Sequence, residues 1–85
     1  MFDKLKQLKE LKELRDSLSQ EKEEVERKGV KVVINGEMKI EEIQLNPDLE
    51  KEEQEKILRE CINEALKKIQ MTAAKKMSQM TGFNI

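Results

Sequence analysis

The chain of 85 residues has no histidine, no tryptophan and no tyrosine. Without histidine there is no imidazole to act as a general base near neutral pH and no ligand for the usual zinc sets. The only aromatics are Phe2 and Phe83, one near each terminus. None interleaves with lysines, so stacking of nucleic-acid bases on aromatic faces has no platform. A single cysteine, Cys61, rules out an internal disulfide and fits a reducing cytosol. No apolar run approaches the roughly 20 residues that span a bilayer, and the N-terminus lacks the apolar stretch of a signal peptide. There is no glycine-rich phosphate loop, and the acidic run Glu50–Glu55 lacks the glycine-punctuated spacing of a calcium loop. These absences lead us to expect a cytoplasmic protein that is not an enzyme, with no cofactor, metal, membrane partner or small-molecule substrate.

What is present is charge. Asp, Glu, Lys and Arg make up 41% of the chain and the hydrophobic residues only 36%. The length allows one domain, residues 1–85. A monomer of this size buries only about 60–65% of the surface of its unfolded chain. Ordering each residue costs about 1.5 kcal/mol, to be offset by apolar burial. A chain this polar gains most by sharing apolar surface with a copy of itself, so a homodimer is expected. Such composition also fits disorder, but the regular spacing of the apolar residues argues against it. The net charge of −1 is unevenly spread. Residues 1–36 hold nine basic and eight acidic side chains, residues 37–64 four and ten, and residues 65–85 four lysines and no acid.

The chain opens with a triplet repeat of strong helix formers: Leu5-Lys6-Gln7, Leu8-Lys9-Glu10, Leu11-Lys12-Glu13, Leu14-Arg15-Asp16. A helix turns once every 3.6 residues, so a spacing of three makes a slanted ridge. Leu5, Leu8 and Leu11 wind around the helix beside a parallel basic ridge of Lys6, Lys9, Lys12 and Arg15. From Leu11 onward, Leu14, Leu18 and Val25 share one face, which predicts that the C-terminal half of the helix lies on a sheet. Its N-terminal half must meet the other long helix or a partner chain.

Lys28-Gly29 ends this region, with Gly29 a candidate turn or C-cap. In Val30-Lys31-Val32-Val33-Ile34-Asn35-Gly36-Glu37-Met38-Lys39-Ile40, an Asn-Gly pair between two β-prone runs predicts a hairpin with a type I′ turn. Val30, Val32 and Ile34 alternate on one strand, Met38 and Ile40 on the next. The apolar phase slips by one between Ile40 and Ile43, and a β-bulge at Glu41/Glu42 would return both to one face. A short strand around Val25–Arg27 is the alternative to a longer helix, so the sheet has two or three strands.

Asn46-Pro47-Asp48 breaks the strand, and Asn46 or Asp48 is a candidate cap for the final helix. That helix is expected from about Leu49 to Met80. Ile57, Leu58, Cys61, Ile62, Ala65, Leu66, Ile69, Ala73, Met77 and Met80 form one broad apolar face, and Gly82 is a candidate C-cap. Cys61 lies on that face and reads as core. The fold class is therefore α+β: a long helix, a small antiparallel sheet and a long C-terminal helix. Strands of five to eight residues span only about 17–27 Å, so both helices overrun the sheet. If they are antiparallel, the start of the first and the end of the last project.

Several of these segments together resemble the YbaB/EbfC family. Val30-Lys31-Val32-Val33-Ile34-Asn35-Gly36 is similar to its V-K-V-x-I/V-N-G strand and turn. Ile40-Glu41-Glu42-Ile43-Gln44-Leu45-Asn46-Pro47-Asp48-Leu49 resembles its V-x-x-V-x-I-D-P-x-L segment, with Asn46 in place of the usual Asp. Asn63-Glu64-Ala65 matches N-[DE]-A, and Lys76-Met77 followed by Gly82 resembles the family's C-terminal end. The resemblance implies a tweezer-like homodimer and a bacterial, nucleoid-associated protein that binds duplex DNA with limited sequence preference.

Two basic groups are candidates for phosphate contact. Lys6, Lys9, Lys12 and Arg15 are either that or a solvated helix face held by pairs such as Lys6–Glu10, Lys9–Glu13 and Lys12–Asp16. Lys67, Lys68, Lys75 and Lys76 are either that or cations suited to a helix C-terminus. Candidate core or dimer residues are Leu5, Leu8, Leu11, Val32, Ile34, Ile40, Ile43, Ile62, Leu66 and Ile69. Met71 lies behind the apolar face; Met77 and Met80 read as core or dimer contacts. The alternative function is a dimeric protein–protein adaptor that binds no DNA, suggested by the acidic net charge and the methionine-bearing last helix.

Overall fold

In the computed structural model the backbone is described over residues 2–81 and the side chains over residues 5–79. Helix α1 (Phe2–Gln20) is followed by strands β1 (Lys22–Arg27), β2 (Val30–Asn35) and β3 (Ile40–Gln44), then helix α2 (Lys51–Thr81). The strands form one antiparallel sheet in the order β1-β2-β3. Gly82 and Phe83 lie outside the described residues, as do the side chains of Phe2 and Met80.

The sheet has three strands because Lys22–Arg27 pairs residue for residue with β2, from Lys22 opposite Asn35 to Arg27 opposite Val30. Val25 therefore belongs to a strand, opposite Val32, and not to the face of α1. The helix stops at Gln20, where the Leu18 carbonyl finds partners outside it. The Gly36 amide donates to Leu18 O at 2.9 Å and to Glu21 O at 3.0 Å, and the Glu21 amide donates to Leu18 O at 3.1 Å. A Cβ at Gly36 would lie 2.2 Å from Leu18 O, so only glycine admits this approach.

The type I′ conformation sits at the other hairpin. Lys28 and Gly29 both have positive φ, 50° and 83°, and alone bridge the paired residues Arg27 and Val30. Asn35-Gly36 instead opens a three-residue loop. The Met38 amide donates to Asn35 O at 2.9 Å, and Met38 takes the left-handed conformation with φ 65°. Asn35 acts through its side chain, its Oδ1 accepting from the amides of Glu37 at 2.8 Å and Lys39 at 3.2 Å. Its Nδ2 donates to Glu41 at 2.8 Å, which satisfies a nearly buried amide. The expected bulge is present: Val33 faces Glu42 and Ile34 faces Ile40, leaving Glu41 as the extra residue. Ile43 and Ile40 thus stand opposite Val32 and Ile34, on one face of the sheet.

Asn46 folds over Pro47 in an Asx turn, its Oδ1 accepting from the Asp48 amide at 3.0 Å, while its Nδ2 donates to Lys28 O at 2.7 Å. It caps the linker, and the helix starts two residues later than its sequence suggested, at Lys51. The core lies between β1, β2 and α2: Val25, Val30, Val32, Ile34, Ile57, Cys61, Ala65 and Ile69 are buried together. Ile57, Cys61, Ala65, Ile69 and Ala73 fall at every fourth residue, forming a ridge laid on the sheet. Cys61 Sγ is 3.8 Å from Val30 O, and burial pushes its thiol pKa up, so it is an inert core residue.

Beyond this core the molecule is thin. The radius of gyration is 16.8 Å, against about 12 Å for a compact chain of this length. Leu14 and Leu18 are partly covered, but Leu5, Leu8 and Leu11 are 61–68% exposed. Met77 is 45% exposed and lies outside the core. No helix among the described residues is long and apolar enough to cross a membrane.

Candidate nucleic-acid interface

The cations of the sheet are tied to carboxylates. Arg27 bonds Glu64 at 2.5 Å and Glu60 at 3.4 Å, Lys28 bonds Glu53 at 2.8 Å, and Lys22 bonds Glu41 at 3.0 Å. Lys31 lies 3.3 Å from Glu42 and 3.7 Å from Glu24, and Lys39 lies 3.4 Å from Glu37. Hydrogen bonds donated to Glu64, Glu53 and Glu42 hold the pKa values of Arg27, Lys28 and Lys31 above their ordinary ranges. Arg27, Lys28, Glu53, Lys56, Ile57 and Glu60 line a shallow open recess, largely crossed by these same ion pairs. Among the described residues no cluster of His, Cys, Asp or Glu is arranged to hold a metal.

These contacts also set the rotation of α2. Arg27 reaches Glu60 and Glu64, Thr72 donates to Glu23 at 3.0 Å, and Lys76 bonds Glu21 at 3.2 Å. The row 60, 64, 68, 72, 76 therefore faces β1 and the residue that precedes it. The opposite flank, with Leu58, Ile62 and Leu66 partly buried, faces the β3 side, where Ile40 and Ile43 are each 45% exposed.

The eight basic residues picked out by the sequence fall into three settings. Lys6, Lys9, Lys12 and Arg15 are exposed on α1 and make no ion pair among the described residues; Lys6–Glu10, Lys9–Glu13 and Lys12–Asp16 do not close. Lys67 and Lys75 are likewise exposed and unpaired. Lys76 is held by Glu21, and Lys68 lies 3.8 Å from Glu64 one turn away. Of the ten apolar candidates, Val32, Ile34 and Ile69 are buried, Ile62 and Leu66 are partly buried, Ile40 and Ile43 are half exposed, and Leu5, Leu8 and Leu11 are exposed. Arg59 is a further exposed cation with no ion pair among the described residues, which segment charges hid because it sits in the acidic stretch 37–64. Its position two residues after the buried Ile57 is the signal that finds it.

Comparison with known proteins points the same way. The profile of the YbaB/EbfC DNA-binding family matches residues 1–83. A curated protein from Caldicellulosiruptor bescii, named nucleoid-associated protein, is 38% identical over 60 residues, which make up 66% of this chain and 53% of the relative. The chain thus spans about half the length of that curated relative. No solved structure matches the chain at a significant level.

Proposed function

The chain belongs to the YbaB/EbfC DNA-binding family, and from that premise we propose that it is a nucleoid-associated protein that binds duplex DNA as a homodimer. Lys6, Lys9, Lys12 and Arg15 on α1 and Lys67, Lys68, Lys75 and Lys76 on α2 grip the phosphate backbone, with little sequence preference. The observation that carries this reading is the contrast in ion pairing: the cations of the sheet are neutralised, whereas six of these eight are exposed and make no ion pair among the described residues. Phosphates supply the missing counter-charge. The name of the Caldicellulosiruptor bescii relative supports the same reading.

The dimer is supported by surface. The chain exposes 6803 Å², against roughly 5,200 Å² for a compact monomer of its mass. The excess exceeds the roughly 800 Å² per partner that a standard interface buries. The half-exposed Ile40 and Ile43, the partly buried Leu58, Ile62 and Leu66, and the exposed Leu5, Leu8 and Leu11 are the apolar side chains such an interface would cover.

Sedimentation equilibrium at micromolar concentration is expected to give twice the chain mass; a monomer mass removes the dimer. Replacing Lys67, Lys68, Lys75 and Lys76 together by Gln is expected to weaken duplex binding strongly, and unchanged affinity removes these lysines from the mechanism. The exposed Met71 and the leucine ridge favour one other reading, a dimeric adaptor. A stoichiometric protein partner captured from nuclease-treated lysate, with no duplex binding, selects it.

A further inference from the structure

Every fourth residue from Ile57 to Ala73 forms the buried ridge of α2. Two residues further on runs a second row: Arg59, Asn63, Lys67, Met71, Lys75 and Gln79. Two residues are about 200° of helix, so at every level this row stands opposite the buried one. All six side chains are exposed, Met71 to 67%. The row holds three cations and no carboxylate, and spans about 30 Å at 1.5 Å per residue. Arg59, Lys67 and Lys75 make no ion pair among the described residues, and Asn63 and Gln79 make no side-chain hydrogen bond there.

The neighbouring row is its opposite. Glu60, Glu64, Lys68, Thr72 and Lys76 all have partners, in Arg27, Glu23, Glu21 or one another. The two rows share one helix and differ in what the fold asks of them. Arg, Asn, Lys and Gln are also the side chains whose geometry suits hydrogen bonds to base edges.

We propose that the middle of this row, Asn63, Lys67 and Met71, which lie within about 80° of one another around the helix, is the DNA-reading surface of α2 and enters the major groove, with Arg59 and Lys75 on the flanking phosphates. It rests on the proposed DNA binding and narrows it: on α2 the base contacts run along the back of the helix, while Lys68 and Lys76, ion-paired to Glu64 and Glu21, stand beside it. Charge complementarity and groove width select the occupant. The row carries only positive charge, and the major groove, about 12 Å wide, admits a helix where the minor groove, about 6 Å wide, does not.

The test uses two substitutions that add the same negative charge at exposed sites: Asn63→Asp on the row, and Gln44→Glu on β3. Affinity of the full chain is read by fluorescence anisotropy on a plain duplex and on the same duplex with its major groove filled by glucosylated 5-hydroxymethylcytosine. Asn63→Asp is expected to lose about tenfold or more, the order of one base contact, and Gln44→Glu to lose much less. The unaltered protein is expected to bind the filled duplex at least about tenfold more weakly than the plain one. Equal losses from the two substitutions, or equal affinity for the two duplexes, overturn the groove assignment while leaving backbone binding in place. No binding to the plain duplex overturns both this inference and the DNA-binding function it rests on.

Discussion

The middle of the molecule and its projecting ends are built by opposite rules. In the middle, β2 is buried on the face covered by α2, and the sheet's cations are paired: Arg27 with Glu60 and Glu64, Lys28 with Glu53, Lys31 with Glu42. On the parts of the helices outside that packing, Leu5, Leu8, Leu11 and Met71 are exposed, and Lys6, Lys9, Lys12, Arg15, Lys67 and Lys75 make no ion pair among the described residues, Lys67 lying on the back of α2 at the level of the core. Exposed leucines and uncompensated cations bring no stability to a lone chain. Under the proposed function, a second copy of the chain and DNA supply the compensation. The middle explains why the chain folds; the ends explain what the fold is for.

Core truncation presses hardest on this contrast. Ile34→Ala or Ile69→Ala removes a fully buried side chain and should cost about 2–5 kcal/mol, enough to unfold much of a domain this small. Leu8→Ala should leave the stability of a lone chain nearly unchanged and act only through the proposed dimer, so its smaller effect should depend on protein concentration. Urea unfolding measures both, and comparable losses would erase the distinction between middle and ends. Gly36→Ala attacks the joint between them. Its Cβ meets Leu18 O, so α1 must separate from the sheet, at about 1–3 kcal/mol. Loss of protection of the Gly36 region in hydrogen exchange, with the sheet intact elsewhere, is the expected signature.

Charge removal sharpens the comparison from the other side. Lys67→Gln with Lys75→Gln should weaken duplex binding and make its salt dependence shallower by about 0.9 in log–log slope per lost phosphate contact. Lys28→Gln with Lys31→Gln removes the same charge from the middle and should alter that slope little. Equal slopes for the two pairs would show that only total charge matters. The smallest effect concerns Glu41. Its hydrogen bond from Asn35 and its contact with Lys22 hold its pKa below the ordinary carboxylate range. A lowered folded-state pKa contributes stability that is present above the ordinary value and lost as pH falls through the folded one. The thermal midpoint should therefore fall further on acidification for the unaltered chain than for Glu41→Gln.

The helix–sheet–helix plan was legible because its signals are local. The triplet of leucines, the β-branched run 30–34 and the apolar face of α2 each carry their own period, and the phase slip between Ile40 and Ile43 located the bulge. What stayed hidden depended on partners distant in sequence. Lys22–Arg27 is charged at five of six positions, so its sequence left strand or helix open and offered a strand only around Val25–Arg27; β2 gives all six residues a register. Lys28 takes positive φ because Arg27 and Val30 are paired across it, while Asn35, the better left-handed residue, is used for its side chain. At the candidate interface the sequence grouped Lys67, Lys68, Lys75 and Lys76 as equivalent. The rotation of α2 against β1 divides them, drawing Lys76 to Glu21 and leaving Lys67 and Lys75 free.

The central claim is that the unpaired cations of the ends are completed by DNA phosphates. Its most direct test is the affinity of the unaltered protein for a labelled duplex of about 30 base pairs, measured by fluorescence anisotropy across a salt series. The account predicts micromolar or tighter binding at low salt and a steep linear fall of log affinity with log salt concentration. Binding that is absent at low salt, or unchanged as salt rises, would contradict it.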